Sequence, residues 1–363
     1  MIGEHRVLYR DPRFYAAFPA VTRLADGGLL VAFRRARDPR CLLAGRDERV
    51  DHLDPRSHLL TLRLDAGLEP IGAVRSVSLD PQAADQDASL LTLANGDILL
   101  ASFAYYPCPP EIDRQAKATP EAAHSGGSLF LFWGGNVRLS RDGGQRWSAP
   151  RYLPALPGLP DIVPRRRAHL GGAPRGRLVE TPAGEILMAT YSGPVSHLLA
   201  SDDGGRRWTV RGEIARDPAG KIAFEEPALY RSPAGRLIAF HRTAHAGDRL
   251  ATATSRDDGA HWSAWRLHDV IGHPFDALTL ADGRLLLTYG YRHPPYGLRA
   301  RVLDAEAETL EEAPEIIIRD DGSSADLGYP WACQMADGRV LVVYYFSAPD
   351  GVRQIEASLI DLT

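Results

Sequence analysis

PALYRSPAGRLIAFH, residues 227–241, reads as a β-hairpin. Two apolar, aromatic-bearing runs flank Ser-Pro-Ala-Gly, and Gly235 accepts the positive φ of a tight turn. The same strand–turn–strand unit recurs as PAVTRLADGGLLVAF (19–33), ASLLTLANGDILLASF (88–103), RLVETPAGEILMATY (177–191), FDALTLADGRLLLTYG (275–290) and WACQMADGRVLVVYY (331–345). The turn glycines 27, 96, 184, 235, 283 and 338 are spaced by 69, 88, 51, 48 and 55 residues, with 52 when the count wraps through the termini. One four-stranded propeller blade needs roughly 40–50 residues. Six units therefore account for residues 1–363 as a single domain. The expected fold is all-β, a six-bladed β-propeller of four-stranded antiparallel blades, with a long insertion at about 107–138.

Between these hairpins lies a second periodic element, Ser-x-Asp-x-Gly-x-x-Trp. It occurs at Ser140–Trp147, Ser201–Trp208 and Ser255–Trp262. Short Ser and Asp side chains hydrogen-bond turn backbone, Gly takes the bend and Trp anchors it by burial, which is the chemistry of a structural clip. These motifs resemble the Asp-boxes of the sialidase superfamily, and the resemblance extends along essentially the whole chain. It implies that the boxes join the third and fourth strands of a blade, away from the active face. It also implies that the N-terminal RVLY supplies the outer strand closing the last blade.

Composition narrows the function. The 42 Lys and Arg against 46 Asp and Glu give a net charge of −4, without the basic excess of a nucleic-acid binder. No apolar run approaches the roughly 18 residues of a membrane span, so no membrane partner is expected. MIGEHRVLYRD shows no leader, and Cys41, Cys108 and Cys333 form neither a CxxC nor a disulfide framework. A cytoplasmic setting is the expectation; a secreted chain already relieved of its leader would read the same. Neither a Gly-rich phosphate loop nor HExxH-type spacing is present, so no cofactor and no metal are called for.

The repeat register locates the active face. Nine residues before each turn Gly stand Phe18, Asp87, Arg175, Glu226, Pro274 and Tyr329; seven after it stand Arg34, Phe103, Tyr191, Arg242, Gly290 and Tyr345. These positions are expected to ring the central depression. The opposite hairpin tips carry mostly Asp, Asn, Ala and Gly, as plain turns do.

The resemblance assigns roles to this rim. A Glu opening an inner strand, followed one hairpin later by an Arg, matches Glu226 and Arg242, 16 residues apart. Tyr329 opens the final inner strand where the superfamily carries its catalytic tyrosine, although Pro330 stands where that pattern has Ser. The implied reaction is exo-acting, retaining hydrolysis of a terminal acidic sugar, with carbohydrate as the partner. A substrate carboxylate repels a carboxylate nucleophile; a phenol avoids that repulsion but needs a base, here Glu226. The acid/base is expected on the first-blade loop 46–57, at Asp54 or else Asp51, with His52 nearby.

Sialidases clamp the substrate carboxylate with three arginines, the first in an Arg-Ile-Pro segment. Ala17-Phe18-Pro19 stands there instead. Arg242 is one remaining member, Arg292 or Arg299 another, and Arg34 or Arg175 could rebuild the site. Asp87, His52 and His273 complete the expected binding set. Loss of the first arginine leaves two other readings open: a propeller enzyme on a uronic or deoxy sugar, hydrolase or lyase, and a non-catalytic carbohydrate-binding propeller. In the insertion, Phe130, Phe132 and Trp133 read either as a lid or subunit contact, or as ordinary strand core.

Overall fold

A computed structural model describes residues 2–38, 52–109, 122–125, 128–157 and 171–362. Twenty-six strands form six antiparallel sheets, the six blades of a propeller. Blade 1 is β2 (Phe14–Arg23), β3 (Leu29–Arg37), β4 (His58–Leu64) and β5 (Arg75–Ser76). Blade 2 has a divided inner strand, β6 (Ala84–Asp85) and β7 (Ser89–Thr92). Both pair with β8 (Ile98–Pro107), which is followed by β9 (Ala122–Ser125), β10 (Ser128–Ser140) and β11 (Arg151–Tyr152).

Blade 3 comprises β12 (Val179–Glu180), β13 (Ile186–Ser192), β14 (Val195–Ser201) and β15 (Thr209–Ala215). Blade 4 comprises β16 (Ala223–Arg231), β17 (Leu237–Ala244), β18 (Arg249–Ser255) and β19 (Arg266–Ile271). Blade 5 comprises β20 (Phe275–Thr279), β21 (Leu285–Tyr291), β22 (Tyr296–Leu303) and β23 (Ile316–Gly322). Blade 6 is β24 (Gly328–Gln334), β25 (Val340–Ser347) and β26 (Arg353–Ile360), completed by the N-terminal β1 (Ile2–Tyr9) pairing with β26. The chain thus closes its own ring, as the resemblance implies, with β1 as the outer strand of the last blade. No helix among the described residues is long and apolar enough to cross a membrane.

The six turn glycines all have φ between 82° and 89°. All three Asp-boxes lie between the third and fourth strands of their blades, and their hydrogen bonds show why the motif recurs. The Ser201 hydroxyl accepts the Gly205 N–H at 2.9 Å, and Asp203 Oδ1 accepts the N–H groups of Arg206 and Arg207 at 2.9 and 2.8 Å. A β-carbon on Gly205 would stand 2.8 Å from Leu99 in the preceding blade, and φ is +79° there. Glycine is therefore needed both for the bend and for the close approach. Gly144 and Gly259 meet Leu30 and Leu198 of their own preceding blades in the same way. Each box is a clip from one blade to the next.

Apolar side chains fill the spaces between blades. Val31, Phe33, Leu60, Leu62, Trp331 and Val343 form one such layer, joining the first blade to the last. The strand SLFLFW belongs to this architecture: Phe130 and Trp133 are buried within β10, while Phe132 packs against Phe103 and Tyr105. Ordinary strand core is the better description of this stretch. Residues 110–121, 126 and 127 of the insertion lie outside the described residues.

Candidate active site

The inner strands are distorted where they enter the central depression. In β2, Phe18 and Pro19 oppose one residue of β3; in β16, Glu226 and Pro227 oppose one of β17; in β24, Tyr329 and Pro330 oppose one of β25. Each is a β-bulge, which re-aims a side chain, and proline suits it because it has no N–H to place in the ladder. Phe18, Glu226 and Tyr329 all adopt left-handed backbone, with φ of 56°, 45° and 53°. Residues before proline normally favour extended backbone, and such conformations cost on the order of 1–3 kcal/mol each. Asp87 occupies the equivalent break between β6 and β7.

These distortions bring together residues far apart in sequence. The Tyr329 hydroxyl donates a short hydrogen bond to Glu226 Oε1. Arg242 Nη1 donates to Glu226 Oε2 at 3.1 Å and lies 3.5 Å from the Tyr329 oxygen, while its Nε lies 3.5 Å from Glu225. Burial drives the Tyr329 pKa well above that of a free phenol, and the charges of Glu226 and Asp87 add to the effect. For Glu226 burial acts upward, but the Arg242 charge and the Tyr329 hydrogen bond outweigh it, and the pKa falls. At neutral pH the pair is a phenol donor facing a carboxylate acceptor.

Arg292 flanks this pair, its guanidinium 5.3 Å from the Tyr329 ring centre. Its Nε donates to the Leu327 carbonyl and its Nη2 to the Tyr345 hydroxyl, both at 3.1 Å. His273 is buried, with Nε2 3.6 Å from Asp248. Burial, reinforced by Arg292 and Arg242, lowers its pKa to about 2, so the ring is neutral. His293 meets the other oxygen of Asp248 at 3.0 Å. Among the described residues, no group of three or more His, Cys, Asp or Glu side chains is arranged to hold a metal.

Arg175 lies against the Tyr329 ring, its guanidinium 5.0 Å from the ring centre. It is 2% exposed, donates to the carbonyls of Ala88, Pro19 and Tyr329, and pairs with Asp87 at 3.7 Å. It ties the inner strands of blades 1, 2 and 6 together. Burial raises the Asp87 pKa to about 7, the Glu226 charge pushing the same way against Arg175.

Arg299 is held within blade 5. It sits on the third strand of blade 5, 3.3 Å from Glu315, and donates to the carbonyls of Leu298, Arg319 and Pro295. Its donors are engaged within blade 5.

Arg34 has the opposite environment. It is fully buried, and among the described residues Nε, Nη1 and Nη2 have no hydrogen-bond partner. Its guanidinium lies 5.8 and 5.7 Å from the ring centres of Tyr15 and Phe18. In the β2–β3 register it stands directly across from Ala17.

Asp54 accepts the Arg56 N–H at 2.7 Å and pairs with Arg37 at 3.0 Å, so both of its oxygens are engaged. Asp51 lies outside the described residues. His52 is exposed above the Phe18 ring, 5.5 Å between centroids, and its Nε2 is 3.3 Å from Asp326. Asp326 was not singled out by sequence, yet it is a hub. It also accepts the hydroxyls of Tyr15 and Tyr345, each at 2.9 Å, and Arg353 Nε at 2.8 Å.

The family comparison bears on this arrangement. The family model described as a BNR repeat-like domain matches residues 120–342, more than half of the chain. The chain belongs to the BNR repeat-like family. This BNR repeat-like protein is similar over 99% of its length, and over 98% of the other chain, to a protein of unknown function from Dyadobacter fermentans, at 37% identity and a TM-score of 0.91. It shares its fold with the K499G mutant of NanB sialidase from Streptococcus pneumoniae, at 16% identity and a TM-score of 0.66, covering 98% of this chain and 70% of that one. The leech intramolecular trans-sialidase, complexed with 2,7-anhydro-Neu5Ac, matches at 13% identity and a TM-score of 0.65 with the same coverage. No curated protein matches by sequence. The BNR repeat-like protein is thus sialidase-like in fold.

Proposed function

We propose that this protein is an exo-acting retaining glycoside hydrolase for a terminal acidic sugar. The observation that carries the reading is the buried Tyr329–Glu226–Arg242 contact. A phenol is a poor nucleophile while protonated. As its oxygen attacks the anomeric carbon, the proton passes along the existing hydrogen bond to Glu226. Arg242 links this step to recognition. A substrate carboxylate bound at Arg242 draws part of the guanidinium charge away from Glu226, which makes Glu226 a stronger base when substrate is present.

Arg242 and Arg292 stand on one side of Tyr329, and Arg34 supplies the third arm from the strand beside Ala17. A buried guanidinium without a hydrogen-bond partner requires an explanation, and a carboxylate ligand provides one. The sialidases among the solved structures of this fold support the glycosidase class. The shift of the arginine from β2 to β3 favours an acidic sugar held in a different orientation.

The test is a fluorogenic glycoside panel covering sialosides, the deaminated nonulosonic acid, uronosides and neutral deoxy sugars. The expected result is turnover of an acidic member, reduced by a factor of about 10²–10⁴ or more in Tyr329→Phe and Glu226→Gln. Full activity in both variants refutes the mechanism. Binding of an acidic sugar without turnover, unaffected by Tyr329→Phe, supports the binding-module reading instead.

A further inference from the structure

A retaining glycosidase also needs a group that protonates the leaving oxygen and then deprotonates water. The first-blade loop offers two described candidates, and the structure separates them. Asp54 has one oxygen accepting the Arg56 N–H and both facing the Arg37 guanidinium, and its side chain is 12% exposed. The His52 side chain is 45% exposed, and it shares Phe18 as a neighbour with Tyr329, whose ring lies 4.7 Å from that of Phe18. Among the described residues its Nε2 has one partner, Asp326, and its Nδ1 has none.

We infer that His52 is the general acid/base of this site and that Asp326 is its positioning residue, an assignment that rests on the glycosidase reading. Asp326 is built for the task. Two fully buried tyrosines and the Arg353 guanidinium fix its carboxylate, leaving it to accept His52 Nε2–H. Burial acts to raise the Asp326 pKa, but the His52 hydrogen bond and the Arg353 charge prevail, so the group stays ionised. A carboxylate at one ring nitrogen fixes the ring orientation and the tautomer. Nδ1 is then the nitrogen that exchanges a proton. A cationic acid is also attracted to an anionic sugar, whereas a carboxylate released in its place is repelled.

The proton and electron balance closes. In the first step Tyr329 Oη bonds to the anomeric carbon and its proton moves to Glu226. The glycosidic C–O bond breaks, its electron pair stays on the leaving oxygen, and that oxygen takes the proton of imidazolium His52. In the second step neutral His52 takes a proton from water, whose oxygen bonds to the anomeric carbon. The electron pair of the carbon–tyrosyl bond returns to Tyr329 Oη, which recovers its proton from Glu226.

The experiment compares two glycosides of the acidic sugar turned over in the panel, one 4-methylumbelliferyl and one alkyl, with and without sodium azide. General acid catalysis contributes about 10²–10⁴-fold, so His52→Gln is expected to lose that factor in kcat/KM on the alkyl glycoside and much less in kcat/KM on the aryl glycoside, whose leaving group needs little protonation. Azide, a nucleophile that needs no base, is expected to accelerate His52→Gln on the aryl substrate and to yield the glycosyl azide. Asp326→Asn is expected to show the same selective loss on the alkyl glycoside, which a purely structural role would not produce. Equal losses of kcat/KM on both substrates in His52→Gln, or the selective pattern in Asp54→Asn instead, overturn the assignment while leaving the glycosidase reading intact. A wild-type enzyme inert on every glycoside overturns both.

Discussion

Replacing Arg34 with methionine separates stability from recognition. This guanidinium is fully buried and makes no hydrogen bond to any of the described residues. An uncompensated buried charge costs about 3–5 kcal/mol. The ring faces of Tyr15 and Phe18 offset about 0.5–2 kcal/mol each, and Asp87 and Asp54 contribute further attraction. The net penalty is then about 1–3 kcal/mol relative to an apolar side chain of similar length, and methionine fills irregular space well. With an unfolding entropy of about 2.1 cal/mol/K per residue, Arg34→Met is expected to raise the thermal midpoint of the ligand-free protein by about 1–4 °C in scanning calorimetry. The same change is expected to raise KM for the acidic substrate, because one arm of its carboxylate clamp is gone. A lowered midpoint would show that the guanidinium is a structural asset. A raised midpoint with unchanged KM would remove Arg34 from the binding site.

Asp87 makes stability depend on pH. Its pKa rises from 3.8 to about 7 on folding, so the folded chain retains a proton that the unfolded chain releases between those values. Its contribution to stability is complete below about pH 4 and is lost as the pH rises towards 7. The slope of unfolding free energy through that window is expected to be less negative in Asp87→Asn than in wild type under urea titration; identical slopes would contradict the assignment. Ser201→Ala removes the acceptor for the Gly205 N–H and the donor to Asp203. It is expected to lower stability by about 1–3 kcal/mol with kcat unchanged, since the clip sits at the far end of its blade; a fall in kcat would contradict that separation.

The fold was legible because a propeller repeats one local unit. Each hairpin turn and each Asp-box carries its own signal, and six copies reinforce one another. The repeat register also puts Glu226, Arg242, Tyr329 and Asp87 at one rim, because the blades share one geometry there. The Phe-Pro, Glu-Pro and Tyr-Pro pairs were in plain view and mark the bulges that aim these side chains. Arg299 stands outside that register: it lies on a third strand, where its guanidinium meets carbonyls of its own blade. Asp326 was missed for a different reason. DDGSSADLGYP (320–330) has the composition of any polar turn. What distinguishes Asp326 is the arrival of Tyr15, His52, Tyr345 and Arg353 from separate segments, and no local pattern encodes that convergence. Arg34 was named, but only the cross-strand pairing with Ala17 shows how it relates to the absent arginine.

The central claim is that the Tyr329 oxygen becomes covalently bonded to the sugar. The direct measurement is to quench the enzyme in acid during turnover of the acidic glycoside and map the modified peptide by mass spectrometry. The expected result is one glycosyl unit on the peptide containing Tyr329, absent from Tyr329→Phe. Steady turnover with no adduct on that peptide, together with a Tyr329→Phe variant that keeps the wild-type rate, would contradict it.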